Sequence, residues 1–150
     1  MSFRTNPLEN NPARKENSMK KIAVDQLCVE VTRRCNMSCM HCMRGKTQNV
    51  DMDFETFKKM MDVTESINTI TFTGGEPSLN VPLMKKALDY VKEKEIPVYN
   101  IFIATNGKQM TNDFVECYLL WVGYCSYFDY GNEYTNISLS KDAFHEDSRQ

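Results

Sequence analysis

The chain has 150 residues, 41% of them hydrophobic and 25% charged, with a formal net charge of -2. That length suits one domain able to bury roughly two-thirds of the surface its unfolded form exposes, and the composition is that of a soluble globular protein. The slightly acidic balance, with no basic stripe, argues against a dedicated nucleic-acid surface, and no apolar run approaches the ~20 residues a membrane span needs.

Residues 1–21 are polar, rich in Asn and without an apolar h-region, and Glu9 and Glu16 fit a transit peptide poorly. They read as a disordered tail ahead of a folded unit over residues 22–150, with Met19 an alternative start. Without an export signal, the six cysteines are expected in a reducing cytoplasm, where clustered thiols mean metal or redox chemistry more often than disulfides. Residues 27–32 are predicted as a first strand, 67–73 as a second, 98–105 as a third and 134–140 as a fourth, all rich in β-branched and aromatic residues. Between the first two, Asp53 can cap a helix that turns Phe54, Phe57, Met60 and Met61 inward and Lys58 and Lys59 outward. Residues 81–95 put Leu83, Met84, Ala87, Leu88 and Val91 on one helical face, with Pro82 in the first turn, where its missing N–H costs nothing. Thr111 or Asn112 can cap a third helix through Phe114, Val115, Tyr118, Leu119 and Trp121; residues 124–133 are expected as loop.

The order β-α-β-α-β-α-β implies parallel strands joined by right-handed crossovers. In such folds the active site lies at the carboxyl ends of the strands. Four polar or sulfur-bearing clusters fall there: the cysteine loop after the first strand, Gly74-Gly75-Glu76-Pro77 after the second, Asn106-Gly107 after the third, and Ser140 at the close of the fourth.

Cys35, Cys39 and Cys42 form a C-x3-C-x2-C run. A [4Fe–4S] cluster normally takes four Cys ligands, so three thiolates leave one iron open for chemistry. A zinc site with His41 or Cys28 as fourth ligand lacks the second knuckle such modules carry, and a redox dithiol at Cys39 and Cys42 leaves Cys35 unexplained. Gly74 and Gly75 let the backbone approach a ligand, and Pro77 fixes the exit. Asn106-Gly107 reads equally as a common turn and as a cofactor contact. Alternation puts Ser138 and Ser140 on one strand face, with Ile137 and Leu139 on the other. His145 reads as a substrate contact or as an exposed helix start. Cys28 and Cys117 read as small hydrophobes, neither they nor Cys125 form a second cluster motif, and core filling accounts for most of the ten methionines.

The stretch Glu30-Val-Thr-Arg-Arg-Cys35-Asn-Met-Ser-Cys39-Met-His-Cys42, followed by Thr73-Gly-Gly-Glu-Pro77, resembles the radical S-adenosylmethionine (radical SAM) superfamily, over about residues 22–147. The resemblance implies a partial (β/α) barrel in an α/β fold, with four of six β/α units present and the chain stopping after the fourth strand. It implies that Cys35, Cys39 and Cys42 ligate a [4Fe–4S] cluster whose fourth iron is completed by the amino and carboxylate groups of S-adenosyl-L-methionine. An electron donor of flavodoxin or ferredoxin type would then drive cleavage to methionine and a 5′-deoxyadenosyl radical, which takes hydrogen from a peptide or small-molecule substrate. Gly74, Gly75, Glu76 and Pro77 would receive the methionyl ammonium. His41 would pack near the adenine, and Asn106, Ser138 and Ser140 would hold the remaining polar groups. Where many relatives carry Asp, Ser140 stands. A fourth strand left as an open edge is expected to promote aggregation or pairing with a second copy. Alternatives are an activating enzyme that makes a glycyl radical on a partner such as anaerobic ribonucleotide reductase, or a non-catalytic cluster- or zinc-binding scaffold.

Overall fold

Strands and helices alternate along the chain as β1 (Ile22–Thr32), α1 (Phe54–Asp62), β2 (Thr64–Gly74), α2 (Val81–Glu93), β3 (Val98–Thr105), α3 (Asn112–Phe128) and β4 (Asn136–Leu139), with a 3-10 turn over Pro77–Asn80 before α2. This computed structural model describes residues 20–128 and 134–141. The strands form one sheet in the order β1-β2-β3-β4, every pair parallel, as the β/α alternation requires. The α/β arrangement of four parallel strands is the one expected. The expected tail, apart from Lys20 and Lys21, and His145 lie outside the described residues.

Register explains which residues are buried. Val29 pairs with Phe72 and Phe72 with Ile103, which pairs with Ile137, so one face of the sheet carries an apolar row from strand to strand. Helices cover that face. Phe57 and Met61 of α1, Leu83, Met84, Ala87, Leu88 and Val91 of α2, and Phe114, Cys117, Trp121 and Cys125 of α3 are buried against it. The Phe72 and Trp121 rings meet edge to face at 5.2 Å, and Trp121 Nε1 donates to Met84 O at 3.0 Å, tying α3 to α2. Each of the Leu, Val, Phe and Met side chains contributes about 1.5–3 kcal/mol of burial.

Several boundaries and placements differ from expectation. β1 starts at Ile22 and β2 at Thr64 because the two strands already pair there, across a register shift between Ile22 and Ala23, although most of those β1 side chains are exposed, so no alternation marks them. Asp53 occupies the position before α1 but makes no side-chain cap bond; its carbonyl alone receives Thr56 N and Phe57 N. At α3, Thr111 Oγ1 does accept from Phe114 N, at 3.2 Å. Residues 124–128, expected as loop, belong to α3: Tyr124 Oη donates to Val91 O and Ile96 O, and Cys125 is fully buried. Residues 129–133 lie outside the described residues. Cys28, read as a small hydrophobe within the strand, is exposed; it alternates with inward Val29 and stands with Glu30 on the face the helices leave open. Met40 and Met43 are 93% and 102% exposed, so they fill no core. Among the described residues, no helix is long and apolar enough to cross a membrane.

Candidate metal and cofactor site

The tips of β1 and β2 approach each other more closely than side chains allow. Gly75 N donates to Thr32 O and Glu76 N to Arg34 O, both at 2.8 Å. A Cβ on Gly74 would stand 2.3 Å from Thr32 O, and one on Gly75 2.2 Å from Arg34 O. Glycine is therefore required at both positions so that the backbone leading into the cysteine loop can bond to the Gly-Gly-Glu-Pro segment. The two sequence motifs form one unit.

Glu76 extends that unit to β3. Its side chain is 1% exposed. Oε1 accepts from Thr105 Oγ1 at 2.6 Å and from Ser78 N at 3.1 Å, and Oε2 accepts from Asn106 N at 2.7 Å. A buried carboxylate must be matched by donors or it is destabilising, and here three protein donors match it. The carboxylate expected to receive an ammonium thus already serves as the strut between two strand tips. Pro77 is buried behind it at the head of the 3-10 turn, and the nearby Ser78 Oγ is buried without a hydrogen-bond partner.

Asn106 reaches the first thiol. Its Nδ2 lies 3.9 Å from Cys35 Sγ and donates to Asn36 Oδ1 at 2.9 Å, while its Oδ1 accepts from Lys108 N. Gly107 follows with φ +70, the left-handed conformation that favours glycine. The Asn-Gly pair is both a turn and a contact to the cysteine loop.

A strap not foreseen from sequence closes the loop from the other side. Arg33 N donates to Val50 O, Gln48 N to Arg33 O and Met52 N to Val31 O, and Thr32 bridges Asp51 in antiparallel fashion. Thr47 Oγ1 accepts from Cys35 N at 2.8 Å. Arg34 makes a two-pronged pair with Asp51, at 2.8 and 3.0 Å, and its Nη2 also donates to Leu79 O at 2.8 Å. Thr32 Oγ1 donates to Asp51 Oδ1 at 2.5 Å. The Arg34 hydrogen bond holds the Asp51 carboxyl below its ordinary range, helped by Thr32.

Cys35, Cys39 and Cys42 line one cavity of about 510 Å³ together with His41, Gly74, Gly75, Glu76, Asn106 and Ser140. Ser140 N donates to Thr105 O at 2.9 Å, which fixes its place on the rim. Ser138 is exposed, pairs with Ala104 and is not part of that lining. A second cavity of about 290 Å³ adjoins the same three thiols and is walled by Glu30, Arg33, Arg44 and Lys46. Arg44 Nη1 pairs with Glu30 at 3.0 Å and its Nη2 donates to Thr73 Oγ1 at 3.3 Å. Burial raises the Cys35 thiol above its ordinary pKa; the Met37 backbone opposes this, and the negative charges of Glu76, Cys39 and Cys42 add to it. Among the described residues, no three Cys, His, Asp or Glu groups close to the distance that holds a single metal ion; the thiols stand around a cavity. Cys117 and Cys125 are remote, buried in the core.

Residues 29–147 match the family model of the radical SAM superfamily. Over 70 residues the chain is 41% identical to the uncharacterized protein MJ0907 of Methanocaldococcus jannaschii, covering 45% of this chain and 24% of that protein. It is 36% identical over 99 residues to a GTP 3′,8-cyclase of Clostridium acetobutylicum (60% and 30% of the two chains). It is 31% identical over 96 residues to the tungsten-containing aldehyde ferredoxin oxidoreductase cofactor-modifying protein of Pyrococcus furiosus (60% and 26%). The matches thus span less than a third of the length of these relatives. Among solved structures, native anSMEcpe with bound AdoMet and Cp18Cys peptide shares the fold, with a TM-score of 0.57 at 17% identity over 85% of this chain and 34% of that one. With most of its length matched by the family model, the chain belongs to the radical SAM superfamily.

Proposed function

We propose that this chain binds a [4Fe–4S] cluster through Cys35, Cys39 and Cys42 and S-adenosyl-L-methionine in the cavity beside it, as a radical SAM enzyme acting on a peptide or small molecule. The observation that carries the reading is the shared cavity: three thiols around one rim, with the tips of β2, β3 and β4 as the opposite wall. Three thiols spread around a cavity suit one ligand to each of three irons and leave the fourth iron facing that wall, whereas a zinc ion would gather them into one tetrahedron. When bound, the pair supplies one-electron cleavage of a sulfonium C–S bond and, through it, hydrogen abstraction from substrate.

The protein's share of the work is binding and positioning. Gly74 and Gly75 bring the wall against the cysteine loop; Glu76 and Asn106 hold the β2 and β3 tips in register with Cys35. Arg44, fixed by Glu30 and Thr73 on the cavity wall, offers a cation to the cofactor's carboxylate, and Ser140 a hydroxyl. His41 is exposed on the same lining and suits packing on the adenine. The relatives' printed activities differ from one another, so they support the shared chemistry and no single substrate. All six cysteines are free, which suits a reducing cytoplasm, and the one-electron chemistry calls for a donor protein of flavodoxin or ferredoxin type.

Single Cys→Ala variants, reconstituted anaerobically, test the assignment. Cys35→Ala, Cys39→Ala and Cys42→Ala are expected to lose iron and sulfide, while Cys28→Ala, Cys117→Ala and Cys125→Ala retain them; release of 5′-deoxyadenosine on reduction completes the case. Stoichiometric zinc without cofactor cleavage, or equal iron loss for Cys28→Ala and Cys35→Ala, would overturn it.

A further inference from the structure

Residues 31–50 hold four basic residues, Arg33, Arg34, Arg44 and Lys46, and no Asp or Glu, in a chain whose net charge is -2. The structure brings a fifth cation, Lys108, to the same loop, its Nζ donating to Asn36 O at 3.2 Å. Against these stand two carboxylates, Glu30 beside Arg33 and Arg44 and Asp51 beside Arg34. The overall charge therefore conceals a group of cations on and beside the cysteine loop, three of which wall the cavity that adjoins the thiols. On the same loop are the two most exposed large apolar side chains among the described residues, Met40 and Met43. Each sits next to a thiol in sequence, beside Cys39 and Cys42.

Exposed apolar side chains are costly to leave in water singly, and unbranched, polarisable methionines suit adaptable protein contacts. An apolar centre with a charged rim is the anatomy of a protein interface. We propose that Met40 and Met43, together with the cations Arg33, Lys46 and Lys108 on and beside the same loop, form the docking surface for an acidic one-electron donor protein. The inference rests on the cluster reading above, because the thiols beneath this surface are where the electron is needed. One electron leaves the reduced donor, which is oxidised by one, and enters the iron centre, which is reduced by one; no bond forms or breaks in docking. A small interface suffices, since electron-transfer encounters bury less than about 1,200 Å², and opposite charge raises the encounter rate by roughly 10–1,000-fold at low salt. A free anion would be drawn to the same cations but would gain nothing from two exposed methionines.

The test uses flavodoxin, an acidic flavin protein, and the full chain. Binding is read by calorimetry on the chain as expressed, with or without iron. Reduction is read by stopped-flow bleaching of the reconstituted cluster, with reduced flavodoxin or with photoreduced deazaflavin, an uncharged small reductant. Arg33→Gln combined with Lys46→Gln is expected to slow reduction by flavodoxin at least tenfold at low salt and to flatten its salt dependence. Met40→Gln combined with Met43→Gln is expected to slow it with the salt dependence kept. Neither pair should change the rate with deazaflavin. A chain that holds iron and is reduced by flavodoxin equally fast whatever these positions carry overturns the surface alone. So does loss of both reductants' rates together, or self-association that the same substitutions abolish while flavodoxin binding persists. A chain that holds no iron yet binds flavodoxin through these residues overturns the cluster reading and leaves the surface standing.

Discussion

Behind the sheet the buried groups are Ile70, Phe72, Ile101 and Ile103 under α2 and α3; at the strand tips they are Thr32, Glu76, Thr105 and Asn106. The first set is held by area removed from water, which is large, additive and indifferent to direction. The second is held by hydrogen bonds, whose net contribution is small but whose loss leaves a buried polar group unmatched. The contrast divides the labour: the helix-covered face supplies the stability, and the tips supply the geometry around the thiols. Substitutions on the two sides should differ in kind as well as size.

Trp121→Ala should show the largest effect. Trp121 is fully buried against Phe72 and ties α3 to α2, and truncating such a side chain costs about 3–5 kcal/mol. The urea midpoint should fall steeply, and iron uptake should fail only where the chain is unfolded. Loss of iron from a chain whose midpoint is unchanged would break the division.

Glu76→Gln comes next. The amide keeps the shape but loses charge-assisted bonds to Thr105, Asn106 and Ser78, a loss of roughly 1.5–3 kcal/mol. A lowered urea midpoint accompanied by weaker S-adenosylmethionine binding is the outcome expected of a strut that shapes the cavity wall. Weaker binding at an unchanged midpoint would instead assign the carboxylate directly to the ligand.

The Arg34–Asp51 pair is smaller still, because both side chains are substantially exposed and such pairs contribute about 1 kcal/mol or less. Asp51 is held below its ordinary value by Arg34, so its folded pKa lies below its unfolded one. The stabilisation is complete above the unfolded value of about 3.9 and is lost as pH falls through the folded value. Comparing urea midpoints of the iron-free chain at pH 7 and in acid, Asp51→Asn should lower the first and lose less on acidification than the parent. An equal drop in both chains would remove the pair from the account.

The sequence revealed the two motifs because each is a short run in which residue type and spacing are specific, and it revealed α2 because Leu83, Met84, Ala87, Leu88 and Val91 leave a polar opposite face. The end of α3 was hidden: Val115, Leu119 and Leu120 are exposed apolar residues, so the helix lacks the contrast that periodicity needs. The strap was hidden for a different reason. Arg34 and Asp51 meet across 17 residues of loop, and loop pairings have no period. The inward turn of Glu76 could not be read either, since a carboxylate suits a ligand and a buried strut alike. Cys28 was legible and misread: inward Val29 and Val31 put it outward by strict alternation.

The smallest effect belongs to the end of α2, far from the rim, and it runs the other way. Glu95 has φ 52, and around it Ile96 N donates to Val91 O and Glu95 N to Lys92 O, the paired bonds of a Schellman cap. Buried Ile96 meets buried Val91 there, which holds the chain in place although Glu pays a steric penalty that Gly does not. Glu95→Gly relieves that strain at the expense of a more flexible unfolded chain, and a net gain of about 0.5–1 kcal/mol is expected. The urea midpoint should rise while iron content and cofactor affinity stay unchanged. A gain in stability that altered either would show that the helix-covered face also sets the geometry of the tips, and the division drawn above would fail from its stable side.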